Sequence, residues 1–139
     1  MKVSLMYIRV GGGHLATARA LAEKLKKMYG DKLKPVLFDG LLETPKVVKD
    51  TIEKGYSIFS NYISPAWKTI YLMSKPRYIR KLEVASVARQ IKNHVRRHLL
   101  TEQPDRIVIF HFWLIKPVLD VLREENLKVP VIVIVTDPF

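Results

Sequence analysis

The first thirty residues read as a strand, a glycine turn and a helix with nothing between them. Residues 2–8 are rich in the apolar and aromatic side chains that suit a strand, and Gly11, Gly12 and Gly13 follow at once. Apolar residues then recur at helical spacing between Ala18 and Met28. A helix that starts directly after glycines directs free backbone N–H groups and the positive end of its dipole at the turn. We therefore interpret this turn as an anion-binding functional site.

The remainder of the chain alternates strands with helices. Strands are predicted at residues 2–8, 34–38, 106–112 and 129–135. Besides the helix after the glycines, helices are predicted at residues 45–63, 66–73, 77 to about 102, and 117 to about 126. Residues 129–135 are almost wholly apolar, as in a strand covered on both faces. The fold class is α/β: a Rossmann-like parallel sheet of about four strands, with helices on both faces and a long helical insert between strands two and three.

Four candidate site residues follow strands of this sheet. His14 comes directly after the glycine turn, Asp39 after the second strand, His111 near the end of the third and Asp137 after the fourth. Ligands of such sheets bind beyond the carboxyl ends of the strands. We expect these side chains to lie on one edge, although they are far apart in the sequence.

The charge of the chain favours an anionic partner. Lys and Arg number 24 against 13 Asp and Glu, a net charge of +11. Between residues 68 and 97 the only acid is Glu83, so the long predicted helix carries a basic face. Acidic lipid, phosphorylated ligands and nucleic acid all suit such a face. Nucleic acid is not expected, because no recognised binding motif is present. The chain has no cysteine, which excludes disulfides and thiolate chemistry.

A membrane surface is predicted beside the basic helix. Aromatic and basic side chains cluster there in the sequence, and such residues bind the interface of an acidic bilayer. The predicted surface consists of Trp67, Tyr71, Lys75, Arg77, Arg80 and Lys81. The alternative is that the two aromatic side chains belong to the core.

Two other kinds of site deserve comparison with the anion site. The glycine run satisfies the pattern G-x-G-x-x-A, and Asp39 lies where a dinucleotide fold places its ribose-binding acid. Two observations count against a dinucleotide site. The interval from Asp39 to Arg106 is too long and too helical for the compact strand-helix repeat of such a fold, and His14 would crowd a pyrophosphate. Metal binding has little support, since only His94 and His98 are spaced as ligands. Those two lie among arginines, so we interpret them as part of a solvated face, and no metal is expected.

The glycine run with His14, followed by an alanine-rich helix, resembles the N-terminal domain of the monogalactosyldiacylglycerol synthase family. These are GT-B glycosyltransferases, related to bacterial diacylglycerol glucosyltransferases and more distantly to the peptidoglycan lipid II-forming transferase. Further pieces of the resemblance occur in the same order: Asp39 after the second strand, Pro65 and Tyr71 in the helical insert, Pro104-Asp105 before the strand that ends near His111, and Thr136-Asp137.

The resemblance implies a domain organisation. In GT-B enzymes two Rossmann-like domains face each other across a cleft; the N-terminal one receives the acceptor and the C-terminal one binds the nucleotide sugar. Residues 1–139 are therefore expected to form the N-terminal acceptor-binding domain, with the C-terminal donor domain absent. We expect no sugar transfer by the isolated chain. The expected location is cytoplasmic, peripheral on the inner face of the cell membrane.

The resemblance also implies a reaction, the transfer of a sugar from a nucleotide sugar to a lipid hydroxyl such as that of diacylglycerol, without a cofactor. His14 would be the general base, because an imidazole suits proton transfer near neutral pH. Asp137 would orient His14 or the acceptor hydroxyl, or cap a following helix. Substrate contacts are implied for Gly11, Gly12, Gly13, Asp39 and His111. A non-catalytic module that binds anionic lipid and a dinucleotide-binding domain remain as alternatives. The sugar, the nucleotide, the acceptor and the oligomeric state stay open.

Overall fold

The computed structural model of the chain describes residues 1–9, 13–42 and 77–135, and of residues 77–87 it describes the backbone alone. The described elements are β1 (Lys2–Tyr7), α1 (Gly13–Tyr29), β2 (Lys34–Asp39), α2 (Arg77–Glu102), β3 (Arg106–Ile109), α3 (Ile115–Glu124) and β4 (Val131–Val133). Short 3-10 turns cover Gly30–Lys32 and Phe112–Leu114.

The strands form a single sheet in the order β2-β1-β3-β4, and every neighbouring pair is parallel. Tyr7 at the end of β1 lies opposite Asp39, and Met6 lies opposite Ile109. The carboxyl ends of the three strands therefore meet at one edge of the sheet. The predicted Rossmann-like α/β fold is confirmed.

Helices cover both faces of the sheet because side chains alternate along each strand. On one face, α1 packs its small residues against β1 and β3; this cluster contains Val3, Leu5, Ala18, Ala22, Leu33, Val108 and Phe110. On the other face, α2 and α3 pack together; the larger cluster there includes Met6, Ile8, Ile91, Val95, Leu99, Ile107, Ile109, Leu114, Val118 and Val121. These apolar contacts are the main stabilising term of the domain.

Predicted boundaries of the third strand and of the last helix differ from the structure. The third strand ends at Ile109, not at residue 112, because the chain turns into the 3-10 turn that His111 caps. Helix α3 begins at Ile115, two residues before the predicted start. Pro117 is the third residue of that helix, where its missing N–H would have no helical acceptor.

The expectation that the fourth strand is covered on both faces is wrong for the described residues. Strand β4 spans only Val131–Val133, and both Ile132 and Val133 are exposed. It is the outermost described strand, next to β3, whereas α1 makes most of its sheet contacts with β1 and β2. The apolar residues of β4 therefore belong to a strand at the margin of the described sheet.

Helix α2 has the predicted bounds, while the helices predicted at residues 45–63 and 66–73 lie outside the described residues. Part of its basic face is neutralised by α3. Lys92 binds Glu124 at 2.6 Å, and Arg96 binds Glu124 and Glu125. Across the part of the chain that the structure describes, no helix is long and apolar enough to span a membrane.

The interpretation of His94 and His98 as part of a solvated face is wrong. Both rings lie against Phe38 of β2, with ring centroids 4.5 and 4.3 Å away. His98 Nε2 shares a hydrogen bond of 2.7 Å with the buried hydroxyl of Ser4, and His94 Nε2 donates to the carbonyl oxygen of Asp39 at 3.2 Å. Burial lowers the pKa of His98 to about 4 and also lowers that of His94.

Candidate functional site at the carboxyl edge of the sheet

The site lies where the strand order reverses. Strands β1 and β3 are neighbours, but α1 leaves β1 on one face of the sheet while α3 follows β3 on the other. A crevice opens at such a point, outside the carboxyl ends of the two strands. His14 is the second residue of α1, and His111 lies two residues beyond β3. Both histidines therefore lie at this edge of the sheet, His14 in the first turn of α1 and His111 in the turn after β3.

The structure brings these two predicted site residues into contact. Their ring centroids are 4.7 Å apart, and the ring planes meet at 72°, an edge-to-face arrangement. His14 is 5% exposed and His111 is 9% exposed. A position for His14 in open solvent is thereby excluded. Two imidazoles with little access to bulk water form the centre of the candidate site.

The start of α1 positions His14. Gly13 is the first residue of the helix, and the Thr17 hydroxyl donates to the Gly13 carbonyl oxygen at 3.0 Å. His14 belongs to the buried side of the helix, together with Leu15 and Ala18. The helix has no acidic residue in its first turn. The N–H groups of a first helical turn and the helix dipole favour an anion at this end.

The turn after β3 positions His111. The residue is extended (φ −139°), and its Nδ1 accepts a hydrogen bond of 3.2 Å from the backbone N–H of Trp113. The N–H of Leu114 donates to the carbonyl oxygen of His111 at 3.0 Å. His111 therefore caps the 3-10 turn with its side chain and closes it with its backbone. His111 lies beyond the end of β3, at the edge of the sheet where ligands of parallel α/β sheets bind.

Asp39 builds the neighbouring turn at the end of β2. Its Oδ1 accepts a hydrogen bond of 3.1 Å from the N–H of Leu41, as in an Asx turn. The N–H of Gly40 donates to the carbonyl oxygen of Tyr7 at 2.8 Å. Burial raises the pKa of Tyr7, and the negative charge of the Asp39 carboxylate raises it further. The structure thus gives Asp39 a local structural role, and its contact with substrate stays a prediction.

Two exposed aromatic residues at the same edge were missed by the sequence reasoning. Phe112 is 69% exposed and Trp113 is 43% exposed. The Phe112 ring stacks on His111 with centroids 4.8 Å apart. A groove of about 590 Å³ begins at Phe112 and continues along α3; it is lined by Phe112, Ile115, Lys116, Leu119, Asp120 and Arg123. The run His-Phe-Trp at the end of a buried apolar segment was the available signal.

Charges along this groove are partly paired. Lys116 and Arg123 each bind the carboxylate of Asp120, at 2.7 and 2.8 Å, and both cations are mostly exposed. The hydrogen bond from Lys116 lowers the pKa of Asp120. With two cations against one acid, the groove keeps a positive excess.

Several predicted site residues lie outside the described residues: Gly11, Gly12, Trp67, Tyr71, Lys75 and Asp137. Arg77, Arg80 and Lys81 lie in the first turns of α2, where only the backbone is described. Within residues 1–9, 13–42 and 77–135, no three potential ligand side chains gather into a metal site.

The fold and this edge define a Rossmann-like α/β domain whose candidate ligand site lies at the reversal of strand order. A sequence model of the monogalactosyldiacylglycerol (MGDG) synthase family matches residues 14–138. The chain belongs to that family, so the resemblance found in the sequence is confirmed.

Curated relatives agree with this assignment. The monogalactosyldiacylglycerol synthase of Spinacia oleracea is 28% identical over 138 residues, and the probable monogalactosyldiacylglycerol synthase of Nicotiana tabacum is 26% identical. Each alignment covers 98% of this chain and 26% of the relative. The chain therefore spans about a quarter of the length of these relatives. No solved structure matches the chain.

Proposed function

We propose that this chain binds the acceptor during transfer of a galactosyl group to the hydroxyl of diacylglycerol, with His14 as the general base. The observation that carries the proposal is the contact between His14 and His111 at the reversal of strand order, in a chain of the MGDG synthase family. A second domain of a longer protein would bind the nucleotide sugar, as the resemblance to GT-B enzymes implies. The chain would then belong to the N-terminal acceptor-binding domain.

The chemistry requires a base because a neutral hydroxyl is a poor nucleophile. His14 takes the acceptor proton as the acceptor oxygen forms a bond to the anomeric carbon, and the bond from that carbon to the nucleotide diphosphate breaks. The departing diphosphate gains negative charge. The glycine run and the start of α1 would stabilise this charge with backbone N–H groups and the helix dipole. Asp137 would orient His14 or the acceptor hydroxyl.

A lipid acceptor requires access from a membrane surface. Phe112 and Trp113 support such access, since they are exposed at the same edge as the two histidines. Aromatic side chains with cations beside them are suited to a bilayer interface, and Lys116 and Arg123 supply the cations. We propose that the protein is peripheral on the cytoplasmic face of the cell membrane, and that the predicted basic surface at the start of α2 is a further membrane contact.

The test is sugar transfer by the longest natural reading frame that contains this chain. Purified protein is mixed with vesicles that contain diacylglycerol and with a panel of nucleotide sugars, and the glycolipid product is identified by mass spectrometry. His14→Ala should lower kcat by roughly 10²–10⁴-fold, the usual contribution of general-base catalysis. His98→Gln is the matched histidine control, because His98 belongs to α2 and its ring bonds Ser4 of β1, away from the carboxyl edge.

Each outcome has a defined meaning. Wild-type transfer by His14→Ala would refute the general-base role. Vesicle binding without transfer from any sugar donor would favour the non-catalytic lipid-binding module. Saturable binding of NAD(H) at the glycine turn would favour the dinucleotide alternative.

A further inference from the structure

We propose that His111 is a positioning residue for His14: its imidazole is fixed as the Nε2–H tautomer by the backbone of Trp113 and holds the His14 ring in one orientation. The proposal rests on the proposed function only for the catalytic role of His14. The tautomer and the ring contact are properties of the fold and can be measured without any substrate.

The position of the proton on His111 follows from its hydrogen bond. A backbone N–H can only donate, and the N–H of Trp113 points at Nδ1 of His111 at 3.2 Å. The nitrogen that accepts this bond carries no proton, so the neutral ring has its hydrogen on Nε2. Nε2 already carries the hydrogen and cannot take another proton from the substrate. Nδ1 could take one only if its hydrogen bond with the N–H of Trp113 were lost. His111 is therefore not a second base.

The ring of His111 is itself held in place by its own turn. Phe112 stacks on it at 4.8 Å, and Trp113 meets it edge to face at 5.5 Å. Leu114, the next residue of the turn, is fully buried. Its Cδ2 lies only 2.5 Å from the position that a Cβ on Gly40 would occupy. The turn is therefore wedged against the end of β2, which leaves His111 little freedom to move.

His14 meets this fixed ring on one side. The centroid distance of 4.7 Å and the angle of 72° place the edge of one imidazole against the face of the other. Edge-to-face aromatic pairs have a preferred geometry, so the contact restricts rotation of the His14 ring about its terminal torsion. A general base works only while its nitrogen is aligned with the proton it removes. His111 supplies that alignment without contact with the reacting atoms.

Imidazole nitrogen spectra of ¹⁵N-labelled chain 1–139 test the tautomer directly. We expect His111 to show an unprotonated Nδ1 and a protonated Nε2 near neutral pH. A protonated Nδ1 on His111 would overturn the proposal. This measurement needs no variant and therefore does not depend on whether a substituted chain folds.

Two variants separate the cap from the ring contact. His111→Asn keeps an acceptor oxygen for the N–H of Trp113 but removes the ring that touches His14. His111→Phe keeps a flat ring and removes the acceptor. We expect His14 resonances to shift and broaden in His111→Asn while the Trp113 amide stays near its wild-type position. In His111→Phe we expect the Trp113 amide to shift, while the His14 resonances stay near their wild-type positions. Wild-type His14 resonances in His111→Asn would contradict the positioning role.

Kinetics in the longer protein complete the test. His111→Asn should lower kcat by about 10–100-fold through loss of alignment, and this fall in kcat should exceed any rise in KM from the implied substrate contact of His111. His111→Phe should have a kcat between those of His111→Asn and the wild type, because it keeps a ring against His14. If His14→Ala retains full activity, the general-base role fails even when the spectra show the ring contact. If His14→Ala is inactive but His111→Asn has wild-type kcat, the positioning role fails alone.

Discussion

His98 makes this fold sensitive to mild acid. Its ring lies between Phe38 and the hydroxyl of Ser4, and burial lowers its pKa from the ordinary 6.5 to about 4. Below pH 6.5 the unfolded chain therefore binds a proton at this residue that the folded chain does not bind. The neutral ring of His98 therefore makes its full contribution to the free energy of unfolding above about pH 6.5. This contribution is lost as the pH falls toward 4. His94 acts in the same direction, because burial also lowers its pKa.

The size of the effect follows from the two pKa values. At about pH 5, a shift of this size corresponds to about 2 kcal/mol of lost stability for a buried group. The ring is only partly buried, so solvent screening reduces the expected loss to about 1 kcal/mol. The three described carboxyl groups with shifted pKa values do not mask it. Glu102, Asp120 and Glu124 have pKa values lowered chiefly by hydrogen bonds from lysines, so their stabilisation is lost only at lower pH.

Urea unfolding followed by circular dichroism at about pH 7.5 and about pH 5 measures this loss. The matched variant is His98→Gln, whose side-chain amide can replace Nε2 in the hydrogen bond with Ser4 but does not titrate. Between the two pH values, the wild-type free energy of unfolding should fall by about 1 kcal/mol more than that of the variant. Equal losses in both proteins, or an NMR titration of His98 near pH 6.5, would refute the reasoning.

Two further substitutions test the edge itself. Gly40→Ala should destabilise the fold by about 1–3 kcal/mol, because the new Cβ would lie 2.5 Å from Cδ2 of the buried Leu114. Gly13→Ala is its control in urea unfolding, since a Cβ there meets no atom of the described residues within 4 Å and should change stability by less than about 0.5 kcal/mol. Trp113→Ala should weaken binding to acidic vesicles by roughly tenfold in a flotation assay, from lost apolar burial alone. Tyr29→Ala, an equally exposed aromatic at the opposite edge, should leave vesicle binding unchanged.

Regular elements were predictable because their patterns are local. The apolar stripe that ends near residue 102 predicts α2 with its bounds, and the strand before the glycines predicts β1 to within a residue. His98 was misread because its burial depends on Phe38, which is brought over it by a strand sixty residues earlier in the sequence. The exposure of β4 was missed for a related reason. Apolar composition does not show how far a neighbouring helix reaches across a sheet.

The site was predictable only in part, because its parts come from separate crossovers. Sequence position placed His14 and His111 on one edge, since both follow strands of a parallel sheet. Their contact depends on the order of the strands, which puts β1 beside β3. The cap on His111 was not predictable from residue types, because it depends on a 3-10 turn that replaces the last part of the expected strand.

The edge is built by contacts within this chain, and that bears on how acceptor binding and transfer are related. Leu114 locks the turn of His111 against Gly40, the cap on Nδ1 fixes the His111 ring, and that ring meets His14 at the start of α1. None of these contacts needs a nucleotide sugar. In the proposed function the base is therefore aligned before the donor arrives, and the alignment contributes to kcat without reorganisation during the reaction. If the proposed function is right, binding of the lipid acceptor and alignment of His14 should both be measurable in residues 1–139, and transfer should in addition need a domain that binds the nucleotide sugar.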